Sequence, residues 1–484
     1  MQSNSIRKDS VKLLSVTILS MGLSLISLSL LSHFRSLDEY GTYSQIVLIT
    51  SLAYSVFALG LPSSVNYFLA GENNIQKQTT FIQTYYMTNA FLGLMCGLLL
   101  LLLMPFIVTY FKNDLISQFG FALLLMPWSR LTNAGIENQF IIYNKSSQLM
   151  WFKLRYGITT ILVVLISYFL NLSFLTYMII FISTEVFFSL WVFYISWKIT
   201  GIVPFGCYYS FSMLKKILAF SIPIGISAIV TSLNVELSKL VATNLTDLKT
   251  FAVYANTSKE LPFAVIVTSI SVVLIPHIRR LLKEKNYIAA VALWRTSINL
   301  TFIIMCFLSM FLILFAPLLI KLLYSSKYLS GTNVFMVSSL IPLLRLTNFG
   351  IILSCIGKTK YILWSSMITL ILNIVLIYVL FKIFGIIGLA MANLISIFAL
   401  DVILLIFTSK KINIKLVDIL DFKFMLKILL INALIGIIAF QIVKSLSLDS
   451  FLSYIYGILI ILAILFTYFL CVRKDALKDW QLLR

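Results

Sequence analysis

The chain has 484 residues, of which 60% are hydrophobic and only 11% charged, and its mean hydropathy is +1.02. Soluble domains run near half apolar and a quarter charged, and none can hide that much apolar surface from water, so a soluble enzyme, a disordered chain and a fibrous protein are excluded. The formal charge of +20, from 37 Lys+Arg against 17 Asp+Glu, lies mainly on short segments between apolar runs, where it reports membrane topology and not a nucleic-acid partner.

Apolar runs of about 20 residues, enough to cross a hydrocarbon core of roughly 30 Å, recur along the whole chain. About fourteen are expected. In chain order they are 11–32, 43–69, 81–111, 115–143, 151–172, 173–197, 217–244, 251–276, 296–323, 332–356, 361–381, 386–408, 424–443 and 450–471. The fold class is therefore an all-α polytopic membrane protein with two six-helix lobes and two further C-terminal helices. The first span follows a basic N-terminal segment without a small-residue cleavage site, so it reads as a retained helix and not a signal peptide. Residues 1–199 form the first lobe, and 200–216, with Gly, Pro and basic residues, a cytoplasmic linker. Residues 217–409 form the second lobe, and 410–484 hold a basic amphipathic segment, the last two spans and a tail. Arg279, Arg280, Lys283, Lys285 and Arg295 share one loop, and Lys410, Lys411, Lys415, Lys423 and Lys427 another; placing both on the cytoplasmic side puts both termini there as well.

An internal repeat supports the two lobes. Pro127, Arg130, Leu131, Thr132, Asn133, Gly135 and Ile136 recur as Pro342, Arg345, Leu346, Thr347, Asn348, Gly350 and Ile351, at an offset of 342 − 127 = 215 residues. Chance within a low-entropy sequence is the competing explanation; placement on spans four and ten, the same position in each half, favours a parallel repeat. Glu185 in span six likewise falls opposite Asp401 in span twelve.

Arg130, Glu137, Glu185, Glu236, Lys239, Lys259, Glu260, Arg345 and Asp401 all fall inside apolar spans. At roughly 2.5–3.5 kcal/mol each near a helix centre, leaving them in lipid would cost on the order of 25 kcal/mol, so they must face the protein interior or water. Glu236 and Lys239 stand three residues apart and can pair locally. Arg130 and Arg345, read as mid-span, either hold the bends at Pro127 and Pro342 or face an anionic ligand. The five cysteines show no paired spacing, and no nucleotide-binding, metalloprotease or nucleophile-elbow motif occurs. No catalytic or metal site is expected, and the chain is not read as an enzyme. Transport would draw on an ion gradient, the membrane potential or the substrate's own gradient. Glu236, Glu185 and Asp401 are the candidates to carry a coupling H⁺ or Na⁺, the only cofactor expected.

Three stretches carry a family resemblance: SHFRSLDEYGTYSQIVLITSLAYSVFALGLPSSVNYFLAG at 32–71, FSIPIGISAIVTSLNVELSKL at 220–240, and LSCIGKTKYILWSSMITLILNIVLIYVLFKIFGIIGLAMANLIS at 353–396. In their order the chain resembles the polysaccharide-lipid (Wzx/PST-type, O-antigen or capsule repeat-unit) flippases of the MOP superfamily, which also holds MATE multidrug exporters and lipid II flippases. The resemblance implies a two-lobed bundle in the bacterial inner membrane, opening alternately to each side. It implies as partners an undecaprenyl-diphosphate-linked glycan, membrane lipids, and the polymerase and chain-length proteins of the same pathway. Arg130, Arg345, Lys239 and Lys259 would then bind the substrate, because cationic side chains can replace the hydration of a diphosphate and the Arg fork fits phosphate oxygens. The alternatives are a cation-exporting MATE protein, which would favour carboxylates in its cavity, and a lipid II flippase with a similar head group.

Overall fold

The computed structural model describes residues 2–445 together with 464, 467–469 and 472. Among these the secondary structure is helical throughout. The fourteenth expected span, 450–471, lies almost entirely outside the described residues. The helices are α1 (Gln2–Phe34), α2 (Leu37–Phe57), α3 (Leu61–Leu69), α4 (Ile75–Leu102), α5 (Met104–Phe111), α6 (Gly120–Asn133), α7 (Ile136–Ile142), α8 (Ser146–Phe169), α9 (Phe174–Thr200), α10 (Phe211–Leu245) and α11 (Leu248–Thr257). They continue as α12 (Ala264–Lys283), α13 (Tyr287–Leu314), α14 (Ala316–Tyr324), α15 (Thr332–Ser338), α16 (Ile351–Cys355), α17 (Thr359–Phe384), α18 (Ile386–Ile412), α19 (Leu416–Ile419) and α20 (Phe422–Ser445).

Nine of these helices are each long and apolar enough to cross a membrane: α1, α4, α8, α9, α10, α13, α17, α18 and α20. The remaining expected spans are interrupted. The second is α2 followed by α3, bent by 45°; the fourth, eighth and tenth are likewise divided, into α6 and α7, α11 and α12, and α15 and α16. Sequence explains the breaks, because Pro removes a backbone donor and disfavours helix at the residue before it. Pro62 stands in the first turn of α3 and Pro105 in that of α5, while Pro262 falls between α11 and α12. Among the described residues the protein is an all-α polytopic membrane protein with nine uninterrupted spanning helices and further, broken spans between them.

Packing divides the chain into two compact units, residues 1–256 with 323–327, and residues 257–322 with 328–484. In the first unit α10 packs on α2, α3 and α4. The loop before it is fastened to α4: Gln83 Nε2 donates to Val203 O (3.1 Å), Gln83 Oε1 accepts from Tyr208 N–H (2.8 Å), and Thr84 Oγ1 from Ser210 N–H (3.1 Å). The unit boundary thus falls at 256/257, whereas the six-helix division drawn from the repeat falls at 200–216; that division remains a proposal. The bend between α2 and α3 needs Gly60, whose φ is +71° and where a Cβ would stand 2.4 Å from Ser221 O of α10. Helix α2 begins with a capping box, Ser36 Oγ accepting from Glu39 N–H while the Glu39 carboxylate accepts from Ser36 N–H. Lys327 donates to the carbonyls of His33 (3.0 Å) and Arg35 (2.8 Å) at the end of α1, where a cation satisfies orphan acceptors. In the second unit α13 is the central helix, with 61% of its apolar window buried and Trp294, Ile298 and Met305 almost fully covered.

Helices α4 and α6 approach at Gly93 and Gly97, a small-residue pair four apart on one face. A Cβ on Gly97 would lie 2.2 Å from Leu124 O, a backbone atom that cannot move aside. Gly97→Ala is therefore expected to destabilise the first unit by about 1–3 kcal/mol, the ordinary cost of overpacking. Thermal unfolding in detergent measures this, and an unchanged midpoint would show that the helices part without cost.

Candidate functional site

In the second unit Lys259, Glu260 and Arg345 lie on helix breaks, whereas Asp401 lies within α18. Residues 258–263 leave the helix around Pro262, so Lys259 and Glu260 sit on non-helical backbone. Residues 344–350, after the Pro342 turn, are also non-helical, and they carry Arg345. The expectation that Arg345 sits mid-helix is corrected accordingly: Pro342 and the polar run Thr347-Asn348 end the regular ladder there. Backbone without helical hydrogen bonds is tolerated at membrane depth only when protein or water satisfies it. Here α13 supplies partners. Thr301 Oγ1 donates to Leu346 O (2.7 Å), and Trp294 Nε1 donates to Thr347 Oγ1 (3.0 Å). Asn348 Oδ1 accepts from Gly350 N–H (3.0 Å).

Across the two breaks Arg345 and Glu260 form a bidentate pair, Nε to Oε2 and Nη2 to Oε1, both 2.9 Å. The two side chains keep 39% and 33% of their surface, so the pair stands at the wall of a crevice and is not fully buried. Lys259, Phe263, Ser338 and Ser339 line the same crevice, whose volume is about 20 Å³, room for about one water molecule. Asp401 of α18 adds a second negative charge within electrostatic range of Arg345. It also lines a neighbouring apolar pocket with Leu405, Leu416 and Phe422.

The first unit holds a related cluster. Arg130, in the last turn of α6, donates from Nη1 to Ser51 Oγ of α2 (2.5 Å). Glu185 of α9 accepts from the Tyr156 hydroxyl of α8, and its backbone carbonyl accepts from Ser129 Oγ (3.0 Å). The Ser129 and Ser189 hydroxyls are bonded to each other. Arg130 and Glu185 interact electrostatically without forming an ion pair. The same relation thus recurs in each unit: an arginine after the shared Pro reaches the second span of its half and feels the carboxylate of the sixth. The partners differ. Arg130 meets the neutral Ser51, and Arg345 meets the charged Glu260.

The other predicted residues have local partners. Lys239 Nζ and Glu236 Oε2 are 2.9 Å apart on α10, the pairing expected from their spacing. Glu137 does not share a helix with Arg130, because the chain breaks between α6 and α7; it pairs instead with Lys153 of α8. Ser51, Tyr156 and the pairing role of Glu260 were not identified from sequence. Glu260 has a signal, since a Lys-Glu pair two residues before a proline inside an apolar run marks charged residues on a break.

All-helical units whose apolar spans are interrupted at charged residues define a polytopic membrane protein. The family model for the lipid II flippase MurJ matches residues 162–467, well over half of the chain. The chain belongs to the lipid II flippase MurJ family. That family is one of membrane transporters of the flippase class. Among solved structures, a lipid II flippase MurJ in an inward closed conformation is similar at TM-score 0.73 and 18% identity, over 96% of this chain and 99% of that one. An inward-facing multidrug resistance MATE transporter of the MOP superfamily is similar at TM-score 0.64 and 14% identity, over 84% and 98% of the two chains. A MATE transporter of Vibrio cholerae is similar at TM-score 0.52 and 14% identity, over 85% and 97%. At these identities the structural likeness establishes the fold alone. No curated protein matches the chain at a comparable level.

The resemblance to Wzx/PST-type polysaccharide flippases is corrected by the family match, and with it the O-antigen and lipopolysaccharide assignment. The physical reason lies in the stretches that carried it. The Leu37-Asp-Glu-Tyr stretch is the capping box of α2. The Ile356-Gly-Lys-Thr stretch turns at Gly357, φ +71°, and the Phe384-Gly stretch joins α17 to α18 at Gly385, φ +58°. Such signals specify where spans end, which relatives with different cargo share.

Proposed function

We propose that the protein moves lipid II, a polyprenyl-diphosphate-linked saccharide, from the inner to the outer leaflet of a bacterial cytoplasmic membrane, with both termini on the cytoplasmic side. The family match carries this reading. The charged breaks of the second unit support it: Arg345 carries a guanidinium fork suited to phosphate oxygens at a partly exposed wall, where Glu260 now holds it. Arg130, Lys239 and Lys259 are the further candidates for contact with the anionic head, and membrane lipids are its surroundings. Polymerase and chain-length partners have no support once the polysaccharide assignment is withdrawn. The transport cycle is proposed to be alternating access, drawing on an ion gradient or the membrane potential.

The cation-antiporter reading is weaker, because the family match is to a flippase and two of the intramembrane carboxylates already hold cations of the chain, Glu236 with Lys239 and Glu260 with Arg345. Reconstitution in liposomes separates the two: purified protein is expected to expose fluorescent lipid II to an external quencher and to leave the efflux of organic cations at the level of empty liposomes. Cation efflux without lipid II exposure would overturn the proposal.

A further inference from the structure

Helices α8 and α9 carry a feature that the transport reading does not use. On α8, Gln148, Trp151, Arg155 and Thr159 recur at three- and four-residue spacing, and on α9 so do Phe187, Trp191, Tyr194 and Lys198, so each set lies on one helix face. The helices are joined by a short loop and pack side by side. An open groove runs between these faces. One part, about 380 Å³, is walled by Trp151, Phe152, Arg155, Trp191, Tyr194 and Lys198. A second part, about 590 Å³, shares Arg155 and Trp191 and continues past Thr159, Ile179, Ile180 and Phe187.

The two parts differ in chemistry. The first presents two exposed cations, Arg155 and Lys198, neither within ion-pair distance of a carboxylate among the described residues. The nearby Lys153 differs, being neutralised by Glu137. The Arg155 guanidinium stands 5.5 Å from the Trp191 ring centre, a cation–π contact that orients the fork and leaves its N–H donors available. Trp151 and Tyr194 at the rim are 57% and 50% exposed, as amphipathic rings are at the head-group level. Beyond Arg155 the exposed surface is mainly apolar, with Ile158, Leu162, Ile179 and Phe187 facing outward and Ser183 and Thr184 the polar side chains beside them. No carboxylate lines either part.

A cationic, aromatic end leading into an apolar channel matches one kind of occupant. We infer that the α8–α9 groove binds an anionic glycerophospholipid, its phosphate on Arg155 and Lys198 and an acyl chain along Ile179 and Phe187. Charge selects among membrane lipids. Phosphatidylglycerol brings a net negative charge to two unneutralised cations. Phosphatidylethanolamine brings an ammonium as well, for which the groove offers no carboxylate. The inference is independent of what the protein transports.

The test uses the full chain in nanodiscs made from equal parts phosphatidylglycerol and phosphatidylethanolamine, with co-purifying lipid counted after transfer to detergent. Wild-type protein is expected to retain phosphatidylglycerol several-fold over phosphatidylethanolamine, and Arg155→Gln/Lys198→Gln to bring the ratio near one. A second measurement needs no charge variant: phosphatidylglycerol with brominated chains should quench tryptophan emission more than its brominated phosphatidylethanolamine counterpart, and Trp151→Phe/Trp191→Phe should remove the difference. Equal retention of the two lipids by wild-type protein would overturn the inference, as would a preference that survives in the double Gln variant. Displacement of phosphatidylglycerol by an equimolar amount of undecaprenyl phosphate would overturn it too, by assigning the groove to a polyprenyl lipid.

Discussion

Arg345→Ala is expected to lower lipid II translocation by about ten- to a hundredfold while the protein still inserts and accumulates. The size follows from losing charge-assisted hydrogen bonds worth about 1.5–3 kcal/mol, at 1.4 kcal/mol per factor of ten. The Glu260 carboxylate already occupies both prongs of the Arg345 fork, at 2.9 Å each. A phosphate uses the same donors in the same plane, so substrate and Glu260 compete for one guanidinium. Arg345→Lys keeps the charge and loses the fork, and should recover only part of the rate. Exchanging the partners, Arg345→Glu with Glu260→Arg, separates a ligand role from a structural one. The exchange preserves an ion pair between the breaks but moves the cation to the other segment. Protein level should match that of the wild type while translocation stays low. Full translocation by the exchanged variant would show that the pair merely ties the two breaks together.

The pair also shows where the sequence was readable and where it was not. Spans are set by the length of apolar runs, and their ends by caps and prolines, which are local; hence α8, α9, α17 and α18 fall close to their expected limits. Breaks inside spans were underread because hydropathy averages over a window and does not register Pro262 or the Thr347-Asn348 run. The repeat pointed to Arg130 and Arg345 as equivalents, and in each unit the arginine does reach the second span of its half. What the repeat could not convey is that Ser51 receives one and Glu260 the other, since that difference depends on side chains meeting across distant segments. Cargo was the least readable property. Two of the three stretches that suggested a polysaccharide carrier owe their marked residues to helix ends, and the third lies inside α10, whereas the family match rests on the pattern of residues 162–467 as a whole.

Glu185→Gln is expected to abolish the response of translocation to an imposed ion gradient while leaving slow, gradient-independent exchange. The three intramembrane carboxylates proposed for coupling differ in what each would leave behind on neutralisation. Protonating Glu236 would strand Lys239, its partner at 2.9 Å on the same helix. Asp401 shares Arg345 with Glu260, so its state is tied to the ion pair between the breaks. Glu185 instead accepts from a neutral hydroxyl, that of Tyr156, while Arg130 acts on it electrostatically without direct pairing. A proton arriving at Glu185 breaks no direct ion pair: Arg130 loses a through-space attraction but keeps its hydrogen bond to Ser51. That makes Glu185 the carboxylate best placed to change charge at small structural cost, and its backbone carbonyl, accepting from Ser129, ties this turn of α9 to α6. Tyr156→Phe removes the donor and keeps the carboxylate, so it should weaken the gradient response without eliminating it. The measurement is lipid II exposure in liposomes under an imposed pH or Na⁺ gradient, compared with the same liposomes at equilibrium. A Glu185→Gln protein that follows the gradient as the wild type does would remove Glu185 from the coupling step and return the role to Asp401 or Glu236.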